Sequence, residues 1–225
     1  MICFGIINRY FKNQMLCFIR RAVILLLILA IIGWLLPRDI FAEELKAGSV
    51  LPAVAVADKG EANFKDKEQK KLKFNAWKSS HTLGDRLAYV QHLAGRLGIE
   101  DMNKLLSDAI VAMDIPHEQL VSLIIINADD SVFGTGWLIS SKIKDNKRTY
   151  PDSTFIHDAD GVVATEWSIP PETATSMIVA ADGTILFHKQ GQTTSKDVAK
   201  ALKIINKNLN SKNKTVLDTS TVADD

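Results

Sequence analysis

A nearly unbroken run of aliphatic residues near the middle of the chain constrains the fold more than any other feature. Residues 121–126 read Val-Ser-Leu-Ile-Ile-Ile, so Ser122 is the single polar residue of the run. This composition is typical of a strand that is buried on both faces of a sheet. Such a strand needs helices or loops over each face, which favours an α/β protein.

A second strand and an amphipathic helix precede this run. Leu87–Leu93 has the composition of a strand, and a helix opens near Glu100-Asp101, where acidic residues complement the helix dipole. The apolar positions of this helix lie three and four residues apart. Those predicted to be buried are Met102, Leu105, Leu106, Ala109, Ile110 and Met113. The order β-α-β predicts parallel strands with a right-handed crossover.

The segment before these elements is predicted to form a strand hairpin. Residues 53–57 are apolar and end at the turn signal Asp58-Lys59-Gly60. Residues 61–73 contain five lysines mixed with Asp66 and Glu68. These lysines could form an anion-binding patch. We favour a solvated hairpin edge, where lysines deter strand pairing between molecules.

The second half of the chain continues the alternation of helices and strands. A short helix is predicted from Trp137 to about Lys144, then a brief strand at residues 155–157. Asp158-Ala159-Asp160-Gly161 resembles part of a calcium loop but lacks its spaced acids, so we interpret it as a hairpin turn. Ile169-Pro170-Pro171 forces an extended corner.

The chain closes with a hairpin and a helix. The hairpin strands are residues 176–180 and 184–188, and the amphipathic helix runs from Thr194 to about Leu209. The polar tail, 211–225, is predicted to be disordered. This order of elements predicts a thioredoxin-like fold: three α/β/α layers, a mixed central sheet and an N-terminal β-hairpin extension.

The N-terminal 42 residues have the pattern of a signal peptide. Arg20 and Arg21 precede the apolar run Ala22–Leu36, which is shorter than the ~20 residues of a membrane-spanning helix. Pro37 then breaks the helix, and Ala42 offers a cleavage position. The sequence therefore predicts export to the periplasm and a globular domain over 43–210.

Two alternatives concern this leader. It could remain uncleaved as an anchor with its basic side inside, and it would then be the only part of the protein to contact the membrane. Translation could also start at Met15, because Met15–Ala42 alone is a signal peptide of ordinary length.

Cysteine and charge content exclude several classes of function for the exported domain. Both cysteines, Cys3 and Cys17, lie in the leader. The domain therefore has no disulfide, thiol nucleophile or thiolate metal site. Residues 43–225 carry 22 basic and 25 acidic residues, a net charge of −3. This charge gives no electrostatic reason to bind nucleic acid.

The redox apparatus of thioredoxin-like enzymes is missing from its expected places. Their reactive cysteine follows the first parallel strand, beside a helix N-terminus that lowers the thiol pKa. The equivalent residues here, 92–98, include no cysteine, serine or threonine. Thr173-Ala174-Thr175-Ser176 stands where those proteins place a cis-proline. Dithiol exchange by this chain alone is excluded, and we predict no catalytic residue and no cofactor.

Seven residues remain as candidates for binding a ligand. His92 and Arg96 could bind an anion at a helix start, although both also suit structural roles at a strand end. The others follow the buried strand, at the end of the sheet where α/β proteins tend to bind ligands. They are Asn127, Asp129, Asp130, Gly134 and Gly136.

The carboxylates and amide of this set could hold calcium or magnesium, but Asp and Asn are also ordinary turn formers and helix caps. Gly134-Thr135-Gly136 lacks the spacing of a phosphate loop. The five histidines of the chain show no metal-ligand spacing, so no metal site is predicted.

Several motifs together resemble one bacterial family. They are Gln91–Arg96, Ile115-Pro116-His117, Asn127–Asp130 with Gly134–Gly136, Lys147–Pro151, Asp160-Gly161, Trp167 and Asp182-Gly183. Over about residues 45–208 the chain resembles the YtfJ-type periplasmic proteins of Gram-negative bacteria, a cysteine-free branch of the thioredoxin-like superfamily. The resemblance implies that fold and that compartment, and it implies no established activity.

Three functions are compatible with these observations. The first is a non-catalytic periplasmic module that binds a protein or a small ligand at the edge formed by residues 92–96 and 127–136. The second is an accessory factor to thiol-disulfide oxidoreductases, which contributes contacts rather than electrons. The third is metal-assisted hydrolysis at Asp129 and Asp130.

Overall fold

The computed structural model describes residues 45–132, 134 and 136–220, with no side-chain description for 211–220. The predicted signal peptide and both cysteines lie outside the described residues. Of the helices in the described part of the chain, none combines the length and the hydropathy that crossing a membrane requires.

In the described part of the chain, a seven-stranded sheet with four α-helices forms the core. The strands are β1 (Ala55–Phe64), β2 (Leu72–Lys78), β3 (Leu87–Ala94), β4 (Leu120–Asn127), β5 (Thr154–Asp158), β6 (Ala174–Val179) and β7 (Ile185–Gln190). The helices are α1 (Lys104–Val111), α2 (Gly136–Thr149), α3 (Val162–Glu166) and α4 (Ser195–Ser220). Short 3₁₀ turns occupy Ser79–His81 and Ile99–Met102.

The strand order confirms the predicted fold. The sheet reads β2-β1-β5-β4-β3-β6-β7. Strands β3, β4 and β5 are mutually parallel, and the hairpins β1–β2 and β6–β7 add antiparallel pairs at the two edges. This is the mixed sheet of a thioredoxin-like protein with an N-terminal hairpin extension.

Strand β4 shows why the sheet needs covering on both faces. Leu123 and Ile125 pack with α3 and the segment 45–54 on one face. Leu120 packs with α1 and α4, and Ile124 with α2, on the opposite face. Because full burial of an aliphatic side chain stabilises a fold by about 1.5–3 kcal/mol, this run contributes strongly to the core.

The predicted turn at Asp58-Lys59-Gly60 is wrong, because strand β1 continues through it to Phe64. The pairing of β1 with β2 shifts register between Val56 and Glu61, which marks a bulge. Lys59 and Gly60 have φ angles of 61° and 74°. A Cβ at position 60 would lie 2.3 Å from the carbonyl oxygen of Asn75. These residues therefore do adopt the backbone conformation of a turn, but here that conformation forms a bulge within β1 and does not end the strand.

Helix α1 differs from its predicted pattern at two positions. Leu106 and Ile110 are buried as predicted, whereas Leu105 is 47% exposed. Asn103, which precedes the helix, is buried instead, and its Nδ2 donates a 2.7 Å hydrogen bond to Oε1 of Gln91. The apolar spacing predicted the helix correctly, but it could not show that a 3₁₀ turn precedes α1 and changes which residue enters the core.

Three further boundaries differ from those predicted. Helix α2 extends to Thr149, beyond the predicted end near Lys144. Asp158–Gly161 is not a hairpin turn, because it leads from β5 into helix α3, which was not predicted. Helix α4 continues to Ser220, so residues 211–220 of the tail predicted to be disordered are helical.

Candidate functional site

The parallel strands β3, β4 and β5 end side by side and bring three loops together. In the sheet register Ala94 lies opposite Asn127, and Asn127 lies opposite Asp158. Loops at the carboxyl ends of parallel strands are where open α/β sheets place ligands. We call this region the carboxyl-end site; the sequence predicted its 92–96 and 127–130 segments.

Asn127 organises the turn after β4. Its side chain is buried, and Oδ1 accepts hydrogen bonds from the backbone N–H groups of Asp129 at 3.1 Å and Asp130 at 3.4 Å. This is the local side-chain-to-backbone bonding that makes asparagine a turn former. Asn127 therefore shapes the loop that presents the two carboxylates.

Arg96 is bound to carboxylates of the protein itself. Its Nε and Nη2 lie 3.0 and 2.9 Å from Oδ1 of Asp130, and Nη2 lies 2.9 Å from Oε1 of Glu172. The backbone N–H of Glu172 also donates to Oδ2 of Asp130. The Asp130 side chain is only 9% exposed. Arg96 therefore neutralises a largely buried acid, which argues against its predicted role as an anion-binding residue.

Asp158 holds the start of helix α3. Its buried carboxylate accepts hydrogen bonds from the backbone N–H groups of Val162 at 3.0 Å and Val163 at 2.8 Å. Burial raises the pKa of this carboxyl, and the two hydrogen bonds oppose that rise. Gly161 passes so close that a Cβ there would lie 3.2 Å from Oδ1 of Asn127. The two loops are thereby packed against each other.

His92 is buried beneath this region, at 2% exposure. Neither ring nitrogen has a hydrogen-bond partner among the described residues, and neither does the hydroxyl of Thr175, its neighbour on β6. Burial lowers the pKa of His92 to about 4, although the Asp130 carboxylate opposes that shift. The ring is therefore neutral at physiological pH, with one donor and one acceptor.

A cavity of about 280 Å³ opens over these loops. Its lining residues are Asn127, Asp129, Asp130, Gly161, Ala164, Thr165, Ile169 and Pro171. The lining combines carboxylates, an amide and a hydroxyl with apolar groups. Such mixed concave surfaces are typical of small binding sites.

Asp129 is the carboxylate of this cavity that is available to a ligand. It is exposed, and among the described residues its side chain accepts no hydrogen bond and forms no ion pair. Asp130, by contrast, is engaged by Arg96 and the Glu172 backbone. The two adjacent acids therefore have different roles.

The remaining predicted residues lie outside the cavity lining. His92 lies below it, and Arg96 acts on it through Asp130. Gly134 and Gly136 have open space around them and line no part of the cavity. Four of the seven candidates are thus joined by hydrogen bonds: Arg96, Asn127, Asp129 and Asp130. His92 is related to them through the electrostatic effect of Asp130, and the two glycines do not join the cluster.

The described residues contain no group of three His, Cys, Asp or Glu side chains placed to hold a metal ion. Since Asp130 is paired with Arg96, Asp129 and Asp130 do not form a pair of free metal ligands. The geometry therefore gives no support to metal-assisted hydrolysis at this turn.

Sequence reasoning missed four participants: Asp158, Thr165, Glu172 and Thr175. Asp158 was read as a turn residue, and its capping role depends on a helix that the sequence pattern did not reveal. Glu172 and Thr175 flank the start of β6, far from β3 in the sequence. Only the folded sheet brings them beside Arg96 and His92.

Comparisons with known proteins agree on one family. Residues 45–208 match the model of a family described as "Bacterial protein of unknown function (YtfJ_HI0045)". The chain is 31% identical over 180 residues to "Uncharacterized protein YtfJ" of Escherichia coli K12, covering 80% of this chain and 96% of that protein. It is 27% identical over 180 residues to an uncharacterized protein of Haemophilus influenzae, with the same coverage.

Among solved structures, the chain is similar to proteins of low sequence identity. A hypothetical protein from Sinorhizobium meliloti is 15% identical with a TM-score of 0.49, covering 75% of this chain and 87% of that one. A putative thiol:disulfide interchange protein DsbE from Chlorobium tepidum is also 15% identical, with a TM-score of 0.43 and coverages of 72% and 98%.

Proposed function

The chain belongs to the bacterial family YtfJ_HI0045, and we propose that it is an exported binding protein that uses no thiol chemistry and holds a partner at its carboxyl-end site. The observation that carries the proposal is the cavity beside Asp129, which has no partner among the described residues and lies on loops fixed by Asn127, Asp158 and the Arg96–Asp130 pair. The leader supports export to the periplasm. The lack of cysteine after residue 17 leaves binding rather than dithiol exchange as the use of this fold.

The partner is a protein rather than a small ion. Three large apolar side chains at this end are exposed: Leu97 at 81% and Val132 at 57% on the loops, and Trp137 at 70% in the first turn of α2. Loops 94–98 and 127–131 are in contact, since a Cβ at Gly95 would lie 2.6 Å from the carbonyl oxygen of Asn127. Exposed aromatic and aliphatic side chains near a polar cavity are typical of surfaces that bind proteins.

Site-specific photo-crosslinking in intact cells tests this proposal. A photo-reactive residue at position 97 or 137 should capture a discrete periplasmic partner. The same probe at position 67, which is exposed on the turn between β1 and β2 and lines neither cavity, should not capture it. If the captured proteins are thiol-disulfide oxidoreductases, this chain acts as an accessory factor to them.

The matched variant is Asp129→Asn, which removes a charge without removing any hydrogen bond to the described residues. We expect it to weaken the crosslink at positions 97 and 137. Glu68→Gln, an exposed acid on the turn between β1 and β2 that lines neither cavity, is the control and should leave the crosslink intact. Equal capture by wild type, Asp129→Asn and Asp129→Ala would show that this site does not bind the partner.

A further inference from the structure

A second cleft lies at the opposite end of the sheet, beside the amino ends of β4 and β5. Its volume is about 250 Å³, and its walls come from residues 110–122 and 149–153. Two of the motifs that the sequence analysis singled out, Ile115-Pro116-His117 and Lys147–Pro151, meet here. The carboxyl-end site uses neither motif. We call this region the amino-end cleft.

The floor of the amino-end cleft is apolar. Ile110 and Leu120 are buried beneath it, and Ile115 is half-buried. Two large side chains at its rim remain in water: Val111 is 57% exposed and Tyr150 is 45% exposed. A ligand with an apolar stem would cover these groups and gain hydrophobic stabilisation.

The charges that line the cleft are carboxylates. Asp114 and Asp152 both contribute to the lining, His117 is the other ionisable side chain with them besides Tyr150, and neither lysine nor arginine is among the described residues that line it. Within the described part of the chain, the Asp114 side chain forms no hydrogen bond or ion pair. Asp152 interacts with Lys147, whose ammonium donates a 2.7 Å hydrogen bond to the carbonyl oxygen of Ser153.

Nearby cations outside the lining are also engaged. Arg86 is paired with Asp85 at 2.8 Å, and Lys104 is paired with Asp108 at 2.7 Å. Among the described residues Asp114 therefore has no partner, and the described lining of the cleft carries an excess of negative charge. No three metal-ligating side chains converge among the described residues, so a coordinated metal ion is not the natural counter-charge.

We propose that the amino-end cleft binds an organic cation, an ammonium group on an aliphatic stem. The ammonium would face Asp114, the stem would lie on Ile110, Ile115 and Leu120, and the Tyr150 ring would add a cation–π contact. The volume suits a ligand of the size of one amino-acid side chain, since it lies below the usual range for larger ligands. A free alkylamine and a lysine side chain of a polypeptide share this chemistry.

Titration of the purified protein with two matched probes tests the charge requirement. Nα-acetyl-lysine methylamide supplies the ammonium, and Nα-acetyl-norleucine methylamide has a similar stem without it. We expect the lysine probe to bind about tenfold more tightly, because the uncharged probe loses both the ion pair and the cation–π contact. The measurement is the shift of backbone amide NMR signals of residues 114–122 and 149–153. Equal affinity for the two probes would overturn the proposal.

Asp114→Asn tests the residue assignment. Asp114 has a φ angle of 48°, and asparagine tolerates this conformation as well as aspartate does, so the variant should fold normally. Its affinity for the lysine probe should fall about threefold, the loss expected for one exposed ion pair. Unchanged affinity in a folded Asp114→Asn variant would contradict the assignment.

Two further experiments are needed. One distinguishes a free amine from a polypeptide as the source of the cation, and the other distinguishes the amino-end cleft from the carboxyl-end site. Hexylamine and the peptide Gly-Lys-Gly both carry the ammonium, and tighter binding of the peptide would identify a polypeptide as the natural ligand. Asp129→Asn should leave affinity for every amine unchanged, since it lies at the carboxyl-end site. A loss of amine binding in Asp129→Asn would place the amine there instead and refute the amino-end cleft.

Discussion

The two ends of the central sheet handle polar groups in opposite ways. At the carboxyl end, most polar side chains bind other groups of the protein. Arg96 pairs with Asp130 and Glu172, and Asn127 and Asp158 accept hydrogen bonds from backbone N–H groups. At the amino end, Asp114 faces water without a partner in the described residues, beside exposed Val111 and Tyr150. The first end is a cavity on loops that are hydrogen-bonded to one another, and the second is a cleft whose charged side chain has no partner among the described residues.

This difference predicts which substitutions should change the free energy of unfolding and which should change ligand binding. A buried group that satisfies backbone or charge partners stabilises the fold, so its loss costs free energy of unfolding. An exposed group without a partner stabilises nothing, so its loss should affect only what binds to it. Substitutions of Arg96, Asp158 and the other paired groups at the carboxyl end should therefore change stability, and substitution of Asp114 at the amino end should change ligand binding alone.

The largest expected effect is the pH dependence caused by His92. The unfolded chain protonates this ring below its ordinary pKa of 6.5, and the folded chain only below about 4. The contribution of His92 to the free energy of unfolding is therefore fully present above pH 6.5. It falls by about 3 kcal/mol as the pH drops toward 4. Urea unfolding at pH 7, 5.5 and 4.5 measures this loss.

His92→Leu is the matched variant, because it removes the titrating ring from the buried position. Its stability should vary less between pH 7 and 4.5 than that of the wild type. A residual slope is expected from His157, whose pKa burial also lowers. An unchanged slope in His92→Leu would show that this ring does not control acid stability.

Asp158→Ala should be the next most damaging change. It leaves the backbone N–H groups of Val162 and Val163 without their acceptors in a buried setting. The expected loss is about 2–3 kcal/mol, measured by urea unfolding at pH 7. Asp158→Asn retains one acceptor oxygen and should lose less. Equal losses for the two variants would mean that the charge, rather than the hydrogen bonds, stabilises the start of α3.

Gly95→Ala should cost about 2 kcal/mol, because the new Cβ would require a backbone shift. It would lie 2.6 Å from the carbonyl oxygen of Asn127 and 3.1 Å from Cβ of Ser131. Gly136→Ala is the control, since nothing lies within 4 Å of a Cβ there. Thermal unfolding of both proteins compares them, and equal melting temperatures would show that the 94–98 and 127–131 loops are not tightly packed.

Arg96→Ala should cost about 1 kcal/mol, since Asp130 is largely buried but the Arg96 side chain is 35% exposed to screening by solvent. Glu172→Gln removes only an exposed partner, 65% exposed, and should cost less. Urea unfolding at low and high salt distinguishes the two. A larger loss for Glu172→Gln would reverse the proposed order of importance.

The smallest expected effect on stability is that of Asp114→Asn, which should change the free energy of unfolding by less than about 0.5 kcal/mol. The same urea experiment measures it. A clear loss would show that Asp114 has a structural role, and the contrast between the two ends of the sheet would then fail.

Sequence patterns predicted much of the carboxyl-end site because its central residues are local. Asn127, Asp129 and Asp130 follow a strand that hydrophobicity alone identifies, and asparagine forms turns with its own neighbours. The sequence could not predict the Arg96–Asp130 ion pair, because the pair joins the loops that follow two different strands. For the same reason, the sequence could not show that Asp130 is paired while Asp129 has no partner among the described residues.

Two errors came from turn signals with more than one structural use. Asp58-Lys59-Gly60 has the residues of a turn, but the chain uses their positive φ angles for a bulge within β1. Asp158-Ala159-Asp160-Gly161 also has turn residues, but there they start a helix. Local chemistry fixes the backbone conformation of a few residues, and the neighbouring elements decide whether a strand or a helix follows.

By itself, the sequence determined the alternation of strands and helices, the central strand that is covered on both faces, and the absence of cysteine after residue 17. These follow from periodicity and residue type, which act locally. Only the tertiary structure decided that Arg96 serves Asp130, that His92 is neutral and buried, and that the motifs at 115–117 and 147–151 meet in one cleft. The physical reason is that burial and pairing depend on contacts between segments far apart in the chain, and those exist only once the sheet has formed.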